Sequence, residues 1–222
     1  MLLLIIYNII YIINSFCFFS FFLLASGIGK TSLLCKILED NKRVFKVPPK
    51  NIHIFFSEEQ PAYTYIQEKS DVPVYLHTEQ PSPHSTFERG SLIIFDDYQQ
   101  DQSALKVINT YFTKKAHHHN LSVVFICQNL YDPQNKIIRS INLNSTALIL
   151  FNNIRDRGVI NTLNTQLGYR AGYLKDVISD LMQKSSRNYL FIDLHPDTQD
   201  RFRLRSSVFV DFPDCVIYIP VK

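Results

Sequence analysis

Short apolar runs alternate with segments of helical periodicity along most of the chain. The apolar runs predict strands, and the apolar residues spaced three or four apart predict helices. Strands are predicted at residues 52–56, 92–95, 123–126, 147–151, 189–194 and 203–210, and helices at 31–40, 103–115, 156–167 and 172–183. Residues 70–90 contain three prolines and read mostly as loop. The alternation predicts an α/β fold with a mainly parallel central sheet and helices on both faces.

The first 29 residues carry no Asp, Glu, Lys, Arg or His. About 20 apolar residues suffice to span a bilayer, so a membrane anchor is one interpretation. A signal peptide is a second, although the positively charged start of such a peptide is missing. The third is a defective start, in which foreign sequence is fused to a genuine buried strand. Asn8, Asn14 and the many Phe, Tyr and Ile residues favour a strand over a helix.

Composition places the chain among ordinary folded proteins. It has 222 residues, of which 46% are hydrophobic and 19% charged, and this excludes collagen, coiled coil and bulk disorder. We expect the chain to divide into a hydrophobic segment at 1–17 and one domain at 18–222. The net charge of +3 is too small to indicate nucleic-acid binding. The four cysteines lie far apart, which fits neither a zinc site nor a disulfide framework and suits a reducing compartment.

A phosphate-binding loop is predicted where an apolar run meets the first helix. Glycines there allow a tight turn, and backbone N–H groups at a helix N-terminus attract phosphate oxygens. Lys30 would reach the β- and γ-phosphates of ATP, and the Thr31 hydroxyl would bind Mg²⁺. The predicted nucleotide-binding residues are Ser26, Gly27, Ile28, Gly29, Lys30, Thr31 and Ser32.

The loop departs from the full pattern at one position. The pattern has glycine where this chain has Leu24. That position shapes the start of the loop and does not touch the terminal phosphate. A strand, turn and helix with a chance Gly-x-Gly-Lys-Thr sequence is the alternative interpretation.

A second acidic motif strengthens the nucleotide hypothesis. The apolar strand at 92–95 ends in Asp96 and Asp97. Asp96 would hold Mg²⁺ and Asp97 would activate the attacking water, and a cation would relieve the repulsion between the two carboxylates. A pair of exposed acids at a strand end is the alternative. The interval between Lys30 and Asp96 accommodates an additional strand, which 52–56 fits.

Three further polar residues are candidates for catalysis. Gln128 directly follows the strand at 123–126, and a side chain there would contact the γ-phosphate or the attacking water. Arg155 or Arg157 would act as an arginine finger across a subunit interface. A strand-end cap and a surface ion pair are the respective alternatives.

Several blocks of the chain resemble one known family. The sequence is similar to the genome-packaging ATPases of the FtsK–HerA superfamily, of the type found in Polinton (Maverick) elements and adintoviruses. The blocks are FFSEEQPAYTYI at 55–66, LIIFDDY at 92–98, FTKKAHHHNLSVVFICQNLYD at 112–132, IRSINLNSTALILFNNIRDRGVINTL at 138–163 and NYLFIDLHPDTQDRFRLRSSVF at 188–209. The resemblance implies a homo-oligomeric ring that uses ATP to thread double-stranded DNA into a capsid, inside the cell at the site of virion assembly.

Other patterns allow a structural and a functional interpretation. Three consecutive histidines at 117–119 suit the last turn of a helix better than a metal site. Arg201, Arg203 and Arg205 alternate, so on a strand they would form either a DNA-tracking stripe or a solvated face. Tyr98 and Tyr111 are expected to pack rather than to stack on bases.

The motifs together predict a P-loop ATPase that uses ATP and Mg²⁺. A helicase or a small-molecule kinase is a rival within enzymes. A catalytically degraded copy from an integrated element is a rival outside enzymes, and Leu24 favours it. A membrane-anchored interaction protein is the third.

Overall fold

The computed structural model describes residues 20–24, 29–45, 47–130, 135–151, 157–184, 188–209 and 215–220. The strands in these ranges are β1 Ser20–Leu24, β2 Ile52–Phe56, β3 Val74–His77, β4 Leu92–Asp96, β5 Ser122–Cys127, β6 Ala147–Phe151, β7 Tyr189–Asp193, β8 Leu204–Arg205 and β9 Ile217–Tyr218. The α-helices are α1 Lys30–Glu39, α2 Asn41–Val44, α3 Pro61–Lys69, α4 Gln102–Thr110, α5 Ala116–His119, α6 Lys136–Leu143, α7 Arg157–Gln166 and α8 Tyr173–Lys184. A π-helical turn, Tyr111–Lys115, joins α4 to α5, and a 3₁₀ turn spans Asp200–Phe202.

The strands form one sheet in the order β3-β2-β4-β5-β1-β6-β7-β8-β9. All pairings from β3 to β6 are parallel, and β7, β8 and β9 add antiparallel partners at one side. Strand β5 lies between β1, which precedes the phosphate loop, and β4, which carries the acidic pair. The chain inserts β2 and β3 between these motifs and places them beyond β4. The predicted α/β fold with a mainly parallel sheet is confirmed, and the additional strand at 52–56 lies beside β4.

Helices cover both faces of the sheet. One core joins Ile93 and Phe95 to α4, α6 and α8, whereas the other joins Leu92 and Ile94 to α1 and α3. Successive strand residues point to opposite faces, so β4 contributes to both cores. The same alternation places Asp96 on the face that α1 and α3 cover.

Two predicted segments differ from the structure. The stretch 70–90 is not all loop, because Val74–His77 forms the edge strand β3 and pairs with β2 in parallel. The predicted strand at 203–210 is wrong for most of its length, since only Leu204–Arg205 pair with β7.

The bounds of the four predicted helices follow the hydrophobic spacing closely, whereas α2, α3 and α6 were not predicted. The predicted helix at 103–115 begins one residue earlier and continues through the π-helical turn to His119. The three histidines occupy the last turn, as predicted, and Asn120 ends the helix in the left-handed conformation. Tyr98 and Tyr111 are buried packing residues, also as predicted.

The alternating arginines form neither a DNA-tracking stripe nor a solvated face. Arg201 lies in the 3₁₀ turn and is exposed, whereas Arg203 donates to the carbonyl oxygens of Asp193 and His195. Arg205 is fully buried and donates from Nη2 to Asp193 Oδ2 over 2.8 Å. Both expectations for this group are therefore wrong, because the backbone turns before Leu204 and the last arginine points into the core.

The charge-free segment at the start of the chain lies almost wholly outside the described residues. Of that segment, the described part contributes β1 and Gly29. Within the described ranges, no helix combines the length and apolar character needed to cross a membrane.

The buried ion pair yields a stability prediction. Asp193→Ala leaves the Arg205 guanidinium buried without its carboxylate, so it should lower the free energy of unfolding by about 3–5 kcal/mol. Asp71→Ala is the matched control, because the Lys42–Asp71 pair is exposed on both sides and such pairs contribute about 0–1 kcal/mol. Urea unfolding measures both variants. Equal, small effects would contradict the structural role assigned to the buried pair.

Candidate functional site

Three parallel strands bring the predicted motifs to one edge of the sheet. Leu24 at the end of β1 pairs with Cys127, and Ile126 pairs with Asp96 at the end of β4. Because parallel strands share a direction, their carboxyl ends lie together, and ligands of such sheets bind there. The end of β1, the acidic pair and Gln128 therefore lie at this edge.

Gly29 occupies a position that requires glycine. Its φ of 110° lies in the left-handed region, and a Cβ there would lie 3.0 Å from Cε1 of Phe151. The Gly29 carbonyl accepts the first hydrogen bond of α1 from the Leu33 N–H at 2.9 Å. The predicted loop residues Ser26, Gly27 and Ile28 lie outside the described residues.

Lys30, Thr31 and Ser32 form the first turn of α1. The N–H groups of a first helical turn have no partners within the helix and carry partial positive charge. Burial raises the pKa of the Asp96 carboxyl, and the charge of the Lys30 ammonium acts against that rise. The sequence predicted that this lysine and the acidic pair lie together, and the structure places them at the same site.

Asp96 is a buried carboxylate. Its residue is 5% exposed, and burial is the main cause that raises the pKa of its side chain. The neighbouring Asp97 adds to that rise, while a hydrogen bond from the Tyr63 hydroxyl to Oδ2 and the charge of Lys30 oppose it. The ionised form is thus partly compensated by its neighbours, and a cation would compensate it further.

The Thr31 hydroxyl forms a hydrogen bond with the residue that precedes α3. It donates to Oε1 of Gln60 over 3.0 Å. A hydroxyl that donates its only proton still has lone pairs with which to bind a cation. Gln60 immediately precedes Pro61, the first residue of α3.

Asp97 stands exposed beside the buried Asp96. Its φ of 62° is left-handed, an uncommon conformation for a residue other than glycine. Its N–H donates to the Ile126 carbonyl at 3.2 Å, and its own carbonyl accepts from the Ser57 hydroxyl at 3.4 Å. The backbone is held from two neighbouring strands, which leaves the carboxylate facing solvent at the sheet edge.

Gln128 lies at the same edge with its side chain exposed. Its N–H donates to Oε1 of Gln99 over 2.7 Å. Beside these residues is a cavity of about 500 Å³, lined by Ser57, Asp97, Tyr98, Gln99, Gln100, Asp101 and Gln128. The cavity adjoins the predicted water-activating carboxylate and is lined mainly by acids, amides and hydroxyls.

The predicted arginine fingers are not placed by the structure. Arg155 lies outside the described residues, and Arg157 is described only as the backbone start of α7. Among the described residues, no group of three or more His, Cys, Asp or Glu could by itself hold a metal ion.

Sequence reasoning missed four residues of this site. Gln60 and Tyr63 contact the predicted metal-binding groups, and Ser57 and Gln99 hold the backbone around Asp97 and Gln128. The block at 55–66 carried a usable signal, because a proline after a polar stretch suits the first turn of a helix.

Comparisons with known proteins add limited information. No protein-family model matches the chain, and no curated protein matches it. Among solved structures, it is similar to Thermomonospora curvata EccC (ATPases 2 and 3) in complex with a signal sequence peptide, with 14% identity and a TM-score of 0.42. The match covers 63% of this chain and 30% of the EccC chain. At this level the similarity assigns no activity to the chain.

The buried carboxylate yields a pH-dependent prediction. A folded-state pKa above the unfolded value means that the folded protein loses stability as pH rises through that interval. Asp96→Asn removes the buried charge and keeps an acceptor for Tyr63. We expect it to raise the melting temperature at pH 7 by roughly 2–4 °C, the change that about 1 kcal/mol produces at this size.

The gain should shrink on acidification, because burial raises the pKa of the Asp96 carboxyl and the native carboxyl therefore takes up its proton before the unfolded one does. Thermal unfolding at pH 7 and at lower pH measures it. Asp97→Asn is the control, since that side chain is exposed. If Asp96→Asn did not raise the melting temperature at pH 7, or raised it more at lower pH, the result would contradict the conclusion that burial destabilises the ionised Asp96.

Proposed function

We propose that the protein is a P-loop ATPase. The observation that carries this proposal is the position of Lys30, at the first turn of α1, within electrostatic reach of the buried Asp96 at the end of β4. A basic side chain, a helix N-terminus and a carboxylate pair at one edge of a parallel sheet form a site for a phosphate chain with its cation.

Each residue has a role in this proposal. The backbone of the loop through Gly29 and Lys30 binds the phosphates, with Ser26, Gly27, Ile28 and Ser32 completing the predicted contact set. Thr31 and Asp96 hold Mg²⁺, which when bound neutralises phosphate charge. Asp97 orients and deprotonates the water that attacks the γ-phosphate, and Gln128 contacts that phosphate.

The residues present fit a magnesium site. Hydroxyl and carboxylate oxygens are the protein ligands that Mg²⁺ prefers, and it usually keeps several waters and binds substrate phosphates as well. Asp96 is buried with a raised pKa, so a cation would stabilise its ionised form.

The proposed work of the ATPase is the packaging of double-stranded DNA. The support is the sequence resemblance to genome-packaging ATPases, chiefly in the blocks at 112–132 and 138–163. On this proposal the protein acts inside the cell as a homo-oligomeric ring with capsid components, and Arg155 or Arg157 reaches a neighbouring subunit. Membrane association enters only if the first 23 residues are an anchor.

A catalytically degraded relative is the second candidate. The observation that favours it is Leu24 where the loop pattern has glycine. Such a protein would keep the fold and lose magnesium-dependent ATP binding. A helicase or a kinase would share the nucleotide site and differ in what stimulates turnover.

The lysine gives the first test of the proposed activity. Lys30→Ala removes the charge that contacts the β- and γ-phosphates, so ATP turnover should fall at least 100-fold, a loss of about 2.7 kcal/mol of transition-state stabilisation. Lys36→Ala is the matched control, because Lys36 is exposed near the far end of the same helix. Phosphate release measures both. Turnover that survives Lys30→Ala would reject the proposal.

DNA dependence separates a motor from other ATPases. Double-stranded DNA should stimulate ATP hydrolysis by the parent protein, and Asp97→Asn should lose the hydrolysis while still binding ATP with Mg²⁺. Turnover is measured with duplex DNA, single-stranded DNA and no DNA. If only single-stranded DNA stimulated hydrolysis, the result would favour a helicase. If neither duplex nor single-stranded DNA changed the rate of hydrolysis, the result would contradict the packaging role.

A further inference from the structure

One short segment contacts both groups assigned to the metal. The Tyr63 hydroxyl donates to Oδ2 of Asp96, and Gln60 accepts from the Thr31 hydroxyl at 3.0 Å. These two side chains belong to the start of α3, where the Tyr63 N–H also donates to the Gln60 carbonyl at 2.9 Å. A single structural unit therefore bridges the phosphate-loop helix and the acidic strand.

The register of the sheet explains why this segment reaches the site. Phe56 at the end of β2 pairs with Asp96 at the end of β4, so the chain that leaves β2 starts beside the carboxylate. Four residues later it enters α3, and the ring of Tyr63 stacks on Phe56 with centroids 4.9 Å apart. Tyr63 is fully buried, which fixes its hydroxyl against the carboxylate.

The direction of each hydrogen bond is compatible with a bound cation. The Thr31 proton points to Gln60, which leaves lone pairs of the hydroxyl oxygen free for a metal. The Tyr63 proton engages one carboxylate oxygen of Asp96, which leaves the other oxygen for a metal or a metal-bound water.

We propose that Gln60 and Tyr63 are positioning residues that orient the Thr31 hydroxyl and the Asp96 carboxylate for Mg²⁺. This proposal rests on the proposed ATPase function. It adds that Gln60 and Tyr63 contribute to the affinity of the site for Mg²⁺. Partners that hold metal ligands in place typically change metal affinity or activity by about 10- to 100-fold when removed. The contacts from α3 thus tune how tightly the site takes up its cation.

The test is the magnesium dependence of ATP turnover in the full chain. Tyr63→Phe removes the hydroxyl and keeps the ring against Phe56. The magnesium concentration at half-maximal turnover should rise about tenfold, while ATP binding in the presence of a chelator stays unchanged. If Tyr63 had only a structural role, the variant would not raise the half-saturating magnesium concentration while leaving chelator-insensitive ATP binding unchanged.

A control and a second pair of variants complete the experiment. Tyr65→Phe on the same helix changes a tyrosine that is 45% exposed, so the magnesium dependence of this variant should match that of the parent. Gln60→Met removes the acceptor for Thr31 and should also raise the magnesium requirement. Gln60→Glu keeps an acceptor and should not. Gln60 is only half-buried, so these variants test the proposal even if Tyr63→Phe folds poorly.

The outcomes separate this inference from the proposed function. A parent protein without magnesium-dependent turnover would reject both. A magnesium-dependent parent whose Gln60→Met and Tyr63→Phe variants keep the same half-saturating concentration would reject the positioning role alone. A lowered concentration would also reject it, since it would mean that Tyr63 competes with the metal for Asp96.

Discussion

The parallel pairing of β1, β5 and β4 is the constraint on which the site depends. Strand β5 pairs with both of its neighbours in one direction, so Leu24, Cys127 and Asp96 all end at the same edge. Lys30 and the acidic pair are more than 60 positions apart in the chain, and this pairing brings them to one edge. If β4 ran in the opposite direction, its two aspartates would lie at the far edge of the sheet.

Burial of the Asp96 carboxylate costs free energy. A carboxylate removed from water is destabilised unless neighbouring charges and hydrogen bonds compensate it. Here Lys30 and Tyr63 compensate in part, and the repulsion of Asp97 works against them. Such a group is poised for a cation, because a positive charge arriving with the nucleotide would complete the compensation. Residues with shifted pKa values in a cleft often mark functional sites for this reason.

The ion pair between Asp193 and Arg205 shows how differently the fold treats another buried carboxylate. Arg205 donates directly to Asp193, and both residues are fully buried. Asp193 pairs with Ala147 at the start of β6, so it lies at the sheet edge opposite to Leu24, Cys127 and Asp96. The pair therefore belongs to the packing of β7 against β8, whereas ligand binding at Asp96 is part of the proposed function.

Sequence patterns predicted the central strands well. Residues 52–56 and 147–151 are continuous apolar runs, and their strands have the predicted bounds. Strand β3 was missed because it has only four residues and follows Pro73, so turn signals outweighed its pattern. Helix α3 was missed because a polar stretch precedes it and its apolar face is narrow.

The contacts within the site were less predictable than its motifs. The hydrogen bond between Tyr63 and Asp96 joins residues 33 positions apart, and no local pattern marks it. The burial of Arg205 was equally hidden, because its partner lies 12 positions away on an adjacent strand. Alternation along a segment predicts which side chains share a face only when the segment is extended, and residues 201–203 are not.

The most direct test of the central claim is a crystal structure of the protein with Mg²⁺ and a non-hydrolysable ATP analogue. The account predicts the β- and γ-phosphates at the first turn of α1 beside Lys30, with the cation between Thr31 and Asp96. A nucleotide bound elsewhere, or phosphates at that turn with the cation away from both residues, would contradict it.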